Sequence, residues 1–258
     1  DYIDIENTSK DYANDYVAAQ TFKLPDGSDY KVNTATMPKG RLYVSPRFGF
    51  NYDVFNNKST QLRGGTGIFL SRLPYVLISN QLGNNGVNIG LINVTGAAAN
   101  PYPFTLDPSR YTPTNINPNA LRNYNVNYGD PNLKFPQVWR SSLAIDQKLP
   151  FGGLVATVEG IYNKNINALH YIDVNLKAPT GNFTGVGEGR PTFPNSTTGR
   201  RIVSDIGNVF VLTNNNKGYS YSLTTKIEKP LTNTWGGFVG YTYSKTKDLS
   251  SVGSTVNA

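Results

Sequence analysis

Residues 42–70 read LYVSPRFGFNYDVFNNKSTQLRGGTGIFL, and this stretch decides the fold. Residues 42–54 alternate strictly, and every second residue falls on one face: Leu42, Val44, Pro46, Phe48, Phe50, Tyr52 and Val54. The polar turn at 56–59 reverses the chain, and the alternation resumes in 60–70. A period of two on both sides of a short polar turn predicts a β-hairpin.

Two later stretches repeat the pattern. In 137–164, Trp139, Leu143 and Ile145 share a face before the tight turn at 150–153. In 218–247, tyrosines and aliphatic residues alternate with Ser, Thr and Lys around the turn at 230–233. An additional strand is predicted at 202–212, which gives six or seven membrane strands.

The connections between these hairpins are sorted by length. Short turns at 56–60, 150–153 and 230–234 alternate with long irregular segments at 1–41, 71–136 and 165–217, which are rich in Asn, Pro and Gly. Outer-membrane barrels have short periplasmic turns and long extracellular loops. The sequence therefore predicts an all-β fold: one antiparallel transmembrane β-barrel domain over 1–258, with those long segments as extracellular loops.

Six or seven strands do not close a barrel, since the smallest known bacterial type has eight. An open edge cannot face lipid, because its unpaired backbone groups would find no water. We therefore expect the chain to be part of a larger barrel. Any targeting signal is expected to have been removed or to lie outside the chain, which starts at Asp1 without a charged and apolar leader.

Composition excludes several classes. The formal charge is +7, from 24 basic and 17 acidic residues, but these are scattered and form no patch suited to nucleic acid. Cysteine is absent, which excludes disulfides and thiolate metal sites. Aromatic residues make up 12% of the chain and Asn about one residue in eight, as expected for aromatic girdles and polar loops.

Several segments resemble the barrel of TonB-dependent outer-membrane receptors, with the Oar-like (OmpA-related) branch of Bacteroidota as the nearest likeness. They are SPRFGFNYDVFNNKSTQLRGGTGIFLSRLPYVLISNQLGNNGV (45–87), LAIDQKLPFGGLVATVEGIYNKNINALHYIDVNL (143–176), VFVLTNNNKGYSYSLTTKIEKP (209–230) and GYTYSKTKDLSS (240–251). The resemblance implies a barrel of about twenty-two strands with an N-terminal plug. It also implies a location in the outer membrane of a Gram-negative bacterium.

The same resemblance implies a set of partners. They are outer-membrane lipid, the rest of the barrel and its plug, the TonB complex reached through N-terminal parts, and a surface lipoprotein. No cofactor is predicted. The sequence predicts no enzyme, since His170 is the only histidine and no pair of carboxylates has the spacing of a catalytic site.

Four charged residues are predicted to lie on inward faces and to form a charge network in the lumen: Arg47, Arg63, Asp53 and Glu159. Charges on the lipid face near mid-bilayer would cost about 2–4 kcal/mol, so they must point inward. Such a network could be structural, or it could contact a plug or substrate. The run Gly64-Gly65-Thr66-Gly67 lacks the following Lys-Ser/Thr of a phosphate-binding loop and is interpreted as a place of close backbone approach.

The loop at 71–136 is the predicted ligand contact. Aromatic faces combined with amides suit sugars or peptides, although the same residues could serve only as turns and rim packing. The candidates are Tyr75, Asn80, Gln81, Asn84, Asn85, Tyr102 and Tyr111.

The predicted function is part of a TonB-dependent transporter or receptor barrel that moves a substrate across the outer membrane. The first alternative is a structural or accessory outer-membrane scaffold of a surface complex. The second is a soluble carbohydrate-binding β-protein, which would remain in solution without detergent.

Overall fold

The computed structural model describes residues 2–3, 5, 13–87, 103–107, 109–111, 124–185, 189–196, 199–232 and 234–249. In chain order, its elements are β1 (Tyr2–Ile3), α1 (Asp15–Ala19), β2 (Phe22–Lys23), β3 (Asp29–Tyr30), β4 (Arg41–Leu42), β5 (Arg47–Asp53), β6 (Thr60–Leu70), α2 (Val76–Gly83), β7 (Val126–Gly129), β8 (Gln137–Lys148), β9 (Val155–Asp173), β10 (Gly181–Asn182), β11 (Pro191–Thr192), β12 (Val209–Asn215), β13 (Tyr219–Lys229) and β14 (Gly237–Lys247).

Six long strands form one continuous antiparallel sheet in the order β14-β13-β9-β8-β6-β5. Each of the three predicted short turns joins a pair of neighbouring strands in this order. Within the described part of the chain, β5 and β14 each have a partner on one side only, so the sheet is open. The prediction of an all-β, partial antiparallel barrel is confirmed.

Two of the short turns depend on unusual backbone conformations. Asn56 and Lys58 in the first turn have φ of 55° and 58°, and Gly152 and Gly153 in the second have φ of 66° and 62°. Glycine adopts this left-handed region without a steric cost, and Asn tolerates it better than most residues. The local sequence therefore favours tight reversals at these two points.

The strand register separates polar from apolar side chains. One face carries the cross-strand row Arg63, Ala144, Glu159 and Thr224. The opposite face carries Phe50, Gly64, Leu143, Gly160, Leu223 and Tyr243 in one row. We call the first the inner face and the second the outer face, because lipid tolerates only the apolar one.

Large side chains stand exposed on the outer face. The exposed fraction is 67% for Phe48 and 50% for Leu223. A water-soluble sandwich would cover such a face with a second layer, whereas a membrane barrel presents it to lipid. Gly64 provides room here, because a Cβ at this position would lie 2.9 Å from Cε1 of Phe50.

The remaining segments pack into what we call the loop cap, made of residues 13–46, 71–87, 124–136, 174–185, 189–196 and 199–218. Its apolar residues form two buried cores rather than an irregular surface. The first core contains Val17, Phe22, Val32, Val126, Tyr128, Val174, Ile206, Val209 and Val211. The second contains Met37, Tyr43, Leu73, Leu77, Ile78, Leu133, Phe135 and Leu212.

The strand predicted at 202–212 begins later and has a different role. β12 starts at Val209 and pairs with the upper end of β9, on the same edge where β13 pairs further down. It therefore continues the line of β13 into the loop cap and adds no seventh membrane strand. The preceding residues turn instead of extending, because the side chain of Asn175 binds Val203 N at 2.8 Å and the carbonyls of Val203, Ile206 and Gly207.

Other boundaries also differ from the sequence pattern. β9 continues past 164 to Asp173, and the segment 71–136 contains the helix α2 and the strand β7. β7 runs parallel to β12 and is thereby joined to the main sheet. The sequence shows no sustained alternation of apolar and polar residues that would predict these features. They are determined by pairing with distant residues, which a local pattern does not report.

Candidate functional site

The inner face carries an ion cluster on three neighbouring strands. Nε of Arg63 on β6 lies 2.8 Å from Oδ2 of Asp146 on β8. Its Nη1 lies 3.5 Å from Oε1 of Glu159 on β9. The hydroxyl of Thr157 donates a 2.6 Å hydrogen bond to Oδ1 of Asp146. One guanidinium therefore bridges two carboxylates across the sheet, in a polar surface that membrane lipid cannot occupy.

The other two charged residues predicted for the lumen lie away from this cluster. The guanidinium carbon of Arg47 lies 4.4 Å from the ring centre of Phe69. Asp53 accepts the backbone N–H of Lys58 at 2.7 Å through its Oδ2 and holds the first short turn. The structure thus joins Arg63 with Glu159 and places Arg47 and Asp53 apart from them, while their role in a lumen stays a prediction.

Sequence reasoning missed two members of the cluster, Asp146 and Thr157. Alternation already places Asp146 on the polar face of β8, but only the register brings it next to Arg63 on the neighbouring strand. Asp146 lies directly opposite Gln61 and diagonal to Arg63. Diagonal neighbours on one face are within reach of long side chains, which explains the contact.

Much of the inner face between the charged groups is made of small side chains. One cross-strand row contains Gly49, Gly65, Ser142, Ile161, Ser222 and Ser244. The hydroxyls of Thr224 and Thr242, in the next row, lie 2.9 Å apart. This surface is polar and shallow, so water or another polypeptide could approach the backbone closely.

Within the described residues, no group of three His, Asp or Glu side chains could hold a metal ion. No helix in that part of the chain is long and apolar enough to cross a membrane.

In the loop cap, two of the predicted ligand contacts are covered. Gln81 is 1% exposed; its Nε2 donates to the carbonyls of Thr34 and Thr36 at 2.8 and 2.7 Å, and its Oε1 accepts the N–H of Gly129. Asn85 is fully buried, and its Oδ1 accepts the N–H of Val87. A ligand outside the loop cap cannot reach either amide in this structure, because each is buried and bound to the backbone.

The other predicted contacts differ in accessibility. Tyr75 is 63% exposed at the start of α2, and Asn80 and Asn84 are half-buried. Tyr111 is half-buried, and its hydroxyl donates to the carbonyl of Pro103 at 2.7 Å. Tyr102 lies outside the described residues. Ligand binding by the accessible members stays a prediction.

The loop cap also contains a groove that the sequence did not indicate. It has a volume of about 620 Å³ and lies between the turn around Pro25 and the segments near Pro179 and Phe193. Lys23 and Lys177 also line it. A mostly apolar cavity of this size with a few polar groups is typical of a small-molecule site.

The match to known families covers almost the whole chain. A family model described as "Outer membrane beta barrel domain" matches residues 3–258. The chain therefore belongs to the outer-membrane β-barrel domain family, and its location is the outer membrane. No curated protein sequence matches it significantly.

Two solved structures are among those similar to this chain. The outer membrane transporter YddB from Escherichia coli has a TM-score of 0.43 and 13% sequence identity, over 79% of this chain and 20% of that protein. A glycine-to-valine variant of the ferric enterobactin receptor PfeA from Pseudomonas aeruginosa has a TM-score of 0.41 and 14% identity, over 77% of this chain and 21% of that protein. The chain thus spans about one fifth of the length of these two proteins.

Proposed function

We propose that this chain is part of the barrel of a TonB-dependent outer-membrane transporter or receptor of the Oar-like branch of Bacteroidota. The intact protein moves a substrate across the outer membrane and is not an enzyme. Its proposed partners are outer-membrane lipid, the remaining barrel strands with their plug, the TonB complex and a surface lipoprotein.

The observation that carries this proposal is the character of the inner face. Small barrels fill their interior with their own side chains. Here the inner face has a row of Gly and Ser across several strands, interrupted by Ile161, next to the Arg63 cluster. Its large aromatic side chains, Phe69 and Phe238, lie towards the two ends of the sheet and leave the middle lined by small and polar groups. Such a surface suits a wide barrel whose interior is occupied by water or by a separate folded plug.

The loop cap supports a receptor role. Its two apolar cores make the segments between the membrane strands a folded unit, so its outer surface can present a shaped site. The groove of about 620 Å³ and the accessible Tyr75 both lie in this unit. Substrate capture at the loop cap followed by passage along the inner face is the order of events that we propose.

The chain contains no cysteine, so single cysteines introduced into it can test this proposal in living cells, in an intact protein whose cysteines outside the chain are replaced by serine. Ser222→Cys lies on the inner face and Leu223→Cys on the outer face of the same strand. We expect a water-soluble maleimide added outside to label Ser222→Cys faster when TonB and the proton gradient are active, because plug movement admits the reagent. Leu223→Cys should stay unlabelled in both conditions.

Equal labelling of Ser222→Cys with and without TonB or a protonophore would contradict transport and favour the scaffold alternative. That alternative keeps the barrel and the loop cap but requires no movement inside the barrel. The soluble carbohydrate-binding alternative is wrong, since the chain belongs to an outer-membrane barrel family.

A further inference from the structure

Charged residues are sorted unevenly between the two faces of the six-stranded sheet. On the inner face of the described strands lie arginines, lysines, aspartates and glutamates. On the outer face, within β5, β6, β8, residues 155–167 of β9, β13 and β14, the only charged side chains are lysines. They are Lys164, Lys229, Lys245 and Lys247.

Three of these four lysines lie together at the end of the sheet next to the loop cap. Tyr219 pairs with Lys164 on one side and with Lys247 on the other. Lys245 pairs with the next outward residue, Tyr221. Lys164 and Lys247 are therefore two strand spacings apart, about 10 Å. No carboxylate lies between them on the outer face.

Beside Lys164 the outer face contains an apolar groove of about 520 Å³. Pro46, Phe48, Ile68 and Trp139 line it, and its charged lining residues are Lys164 and Arg47. The indole N–H of Trp139 donates to Thr66 at 2.7 Å, and its ring meets Tyr162 edge-on at 6.1 Å. These contacts hold the Trp139 ring as a fixed wall of the groove.

The fourth outward lysine has a different setting. Lys229 lies at the opposite end of the sheet, where the short turns are, and its Nζ is 4.3 Å from the ring centre of Trp235. An isolated lysine at a membrane boundary extends its amine to the nearest headgroups without forming a specific site. The three lysines at the other end differ, since they are close together and one of them, Lys164, lines an apolar groove.

We propose that this cluster is a binding site for a phosphorylated glycolipid of the outer leaflet. Long loops of outer-membrane barrels face the cell exterior, so the three lysines lie at the level of the outer-leaflet headgroups. Their ammonium groups bind the lipid phosphates, and the groove lined by Phe48, Ile68 and Trp139 accommodates an acyl chain. Amine clusters beside a membrane recognise anionic headgroups in this way. The site does not depend on whether the intact protein transports a substrate or acts as a scaffold.

The test compares two variants of the intact protein, purified in detergent and incubated with lipopolysaccharide. The first is the triple variant Lys164→Gln, Lys245→Gln and Lys247→Gln. The matched control is Lys229→Gln, an outward lysine at the other end. We expect the triple variant to retain at least about tenfold less lipopolysaccharide than the parent, and the control to retain as much as the parent.

Three further arms separate phosphate recognition from other effects. Lipopolysaccharide from which the phosphates have been removed should bind parent and triple variant equally. Replacement of the three lysines by arginine should restore binding, and heat-dependent gel mobility verifies that each barrel is folded. Free inorganic phosphate at millimolar concentration should not displace the lipid, since the groove also holds its acyl chain.

Binding of lipopolysaccharide to the triple variant within twofold of the parent would overturn the proposal. A similar loss in Lys229→Gln would overturn it as well, because it would indicate a general effect of charge. Displacement by inorganic phosphate alone would also overturn it and indicate a site for the free ion.

Discussion

The sheet and the loop cap use their apolar residues in opposite ways. On the outer face of the sheet Phe48 is exposed, whereas Phe22 in the loop cap is completely buried. Among the described residues, Ala144 is the only buried hydrophobic residue of the six long strands. The loop cap thus has apolar cores of its own, whereas the sheet needs lipid to cover its outer face and further strands to pair with its two open edges. Equivalent substitutions should therefore have different consequences in the two regions.

The largest expected effect is the loss of an aromatic side chain from the loop cap. Phe22→Ala should reduce the free energy of unfolding of the loop cap by about 3–5 kcal/mol, because it leaves a cavity in the first core. Phe48→Ala removes the same group from a lipid-exposed position and should leave the loop cap unchanged. Both effects are measured by amide hydrogen exchange of the intact protein in detergent, as the protection of residues 126–129 and 209–215 in each variant. Equal protection in the two variants would mean that the loop cap has no independent core.

The stability of the sheet should be sensitive to a charge placed on its outer face, and much less sensitive to the loss of an apolar side chain. Leu223→Arg places a guanidinium on the outer face and should destabilise the barrel by about 2–4 kcal/mol near mid-bilayer. Ser222→Arg, one residue earlier on the inner face, should cost less than about 1 kcal/mol because its head remains in a polar environment. Denaturant-induced unfolding of the intact protein from lipid vesicles compares the two. If Ser222→Arg lowered the free energy of unfolding more than Leu223→Arg does, our assignment of the inner and outer faces would be reversed.

The sheet was predictable because its signal is local. Alternation in 42–54, 60–70 and 219–229 depends on residues that are adjacent in sequence, and a lipid-facing strand must maintain it. The short turns carry Asn and Gly where the backbone needs them, at Asn56 and Gly152. The position of the membrane strands therefore follows from the sequence, together with the need for further strands to close the barrel.

The loop cap and the detail of the site were not predictable in this way. The helix α2 and the strand β7 are stabilised by partners from distant segments, such as Thr34 and Thr36, which bind Gln81. An asparagine or glutamine has the same appearance in sequence whether it faces a ligand or fastens a buried backbone. Alternation indicated that Arg63 and Glu159 face inward, but their contact depends on a register that no single strand encodes.

A smaller effect distinguishes a structural from a ligand-binding amide. Gln81→Leu leaves the carbonyls of Thr34 and Thr36 and the N–H of Gly129 without their partner, so the loop cap should lose about 1–3 kcal/mol. Leu82→Ala, at the next and more exposed position of α2, should change the free energy by less than about 1 kcal/mol. Protease resistance of the intact protein in urea provides the measurement. Unchanged resistance in Gln81→Leu would remove the structural role that we assign to this side chain.

The smallest effect concerns alkaline pH and again separates the two regions. Burial, and then the 2.8 Å hydrogen bond donated to Asp130, raise the pKa of Tyr30 well above its ordinary value of about 10. Above pH 10 the unfolded loop cap releases this proton while the folded one retains it, so the contribution of Tyr30 to stability falls by at most about 1.4 kcal/mol per pH unit, and by less to the extent that solvent reaches the ring; below pH 10 the contribution is fully present. In Tyr30→Phe the stability of the loop cap should fall less steeply between pH 10 and 11 than in the parent. The measurement is the urea concentration at the midpoint of the loss of protease resistance. Tyr75→Phe is the matched control at an exposed position, and a decrease in slope there equal to that of Tyr30→Phe would contradict the assignment to the buried hydroxyl.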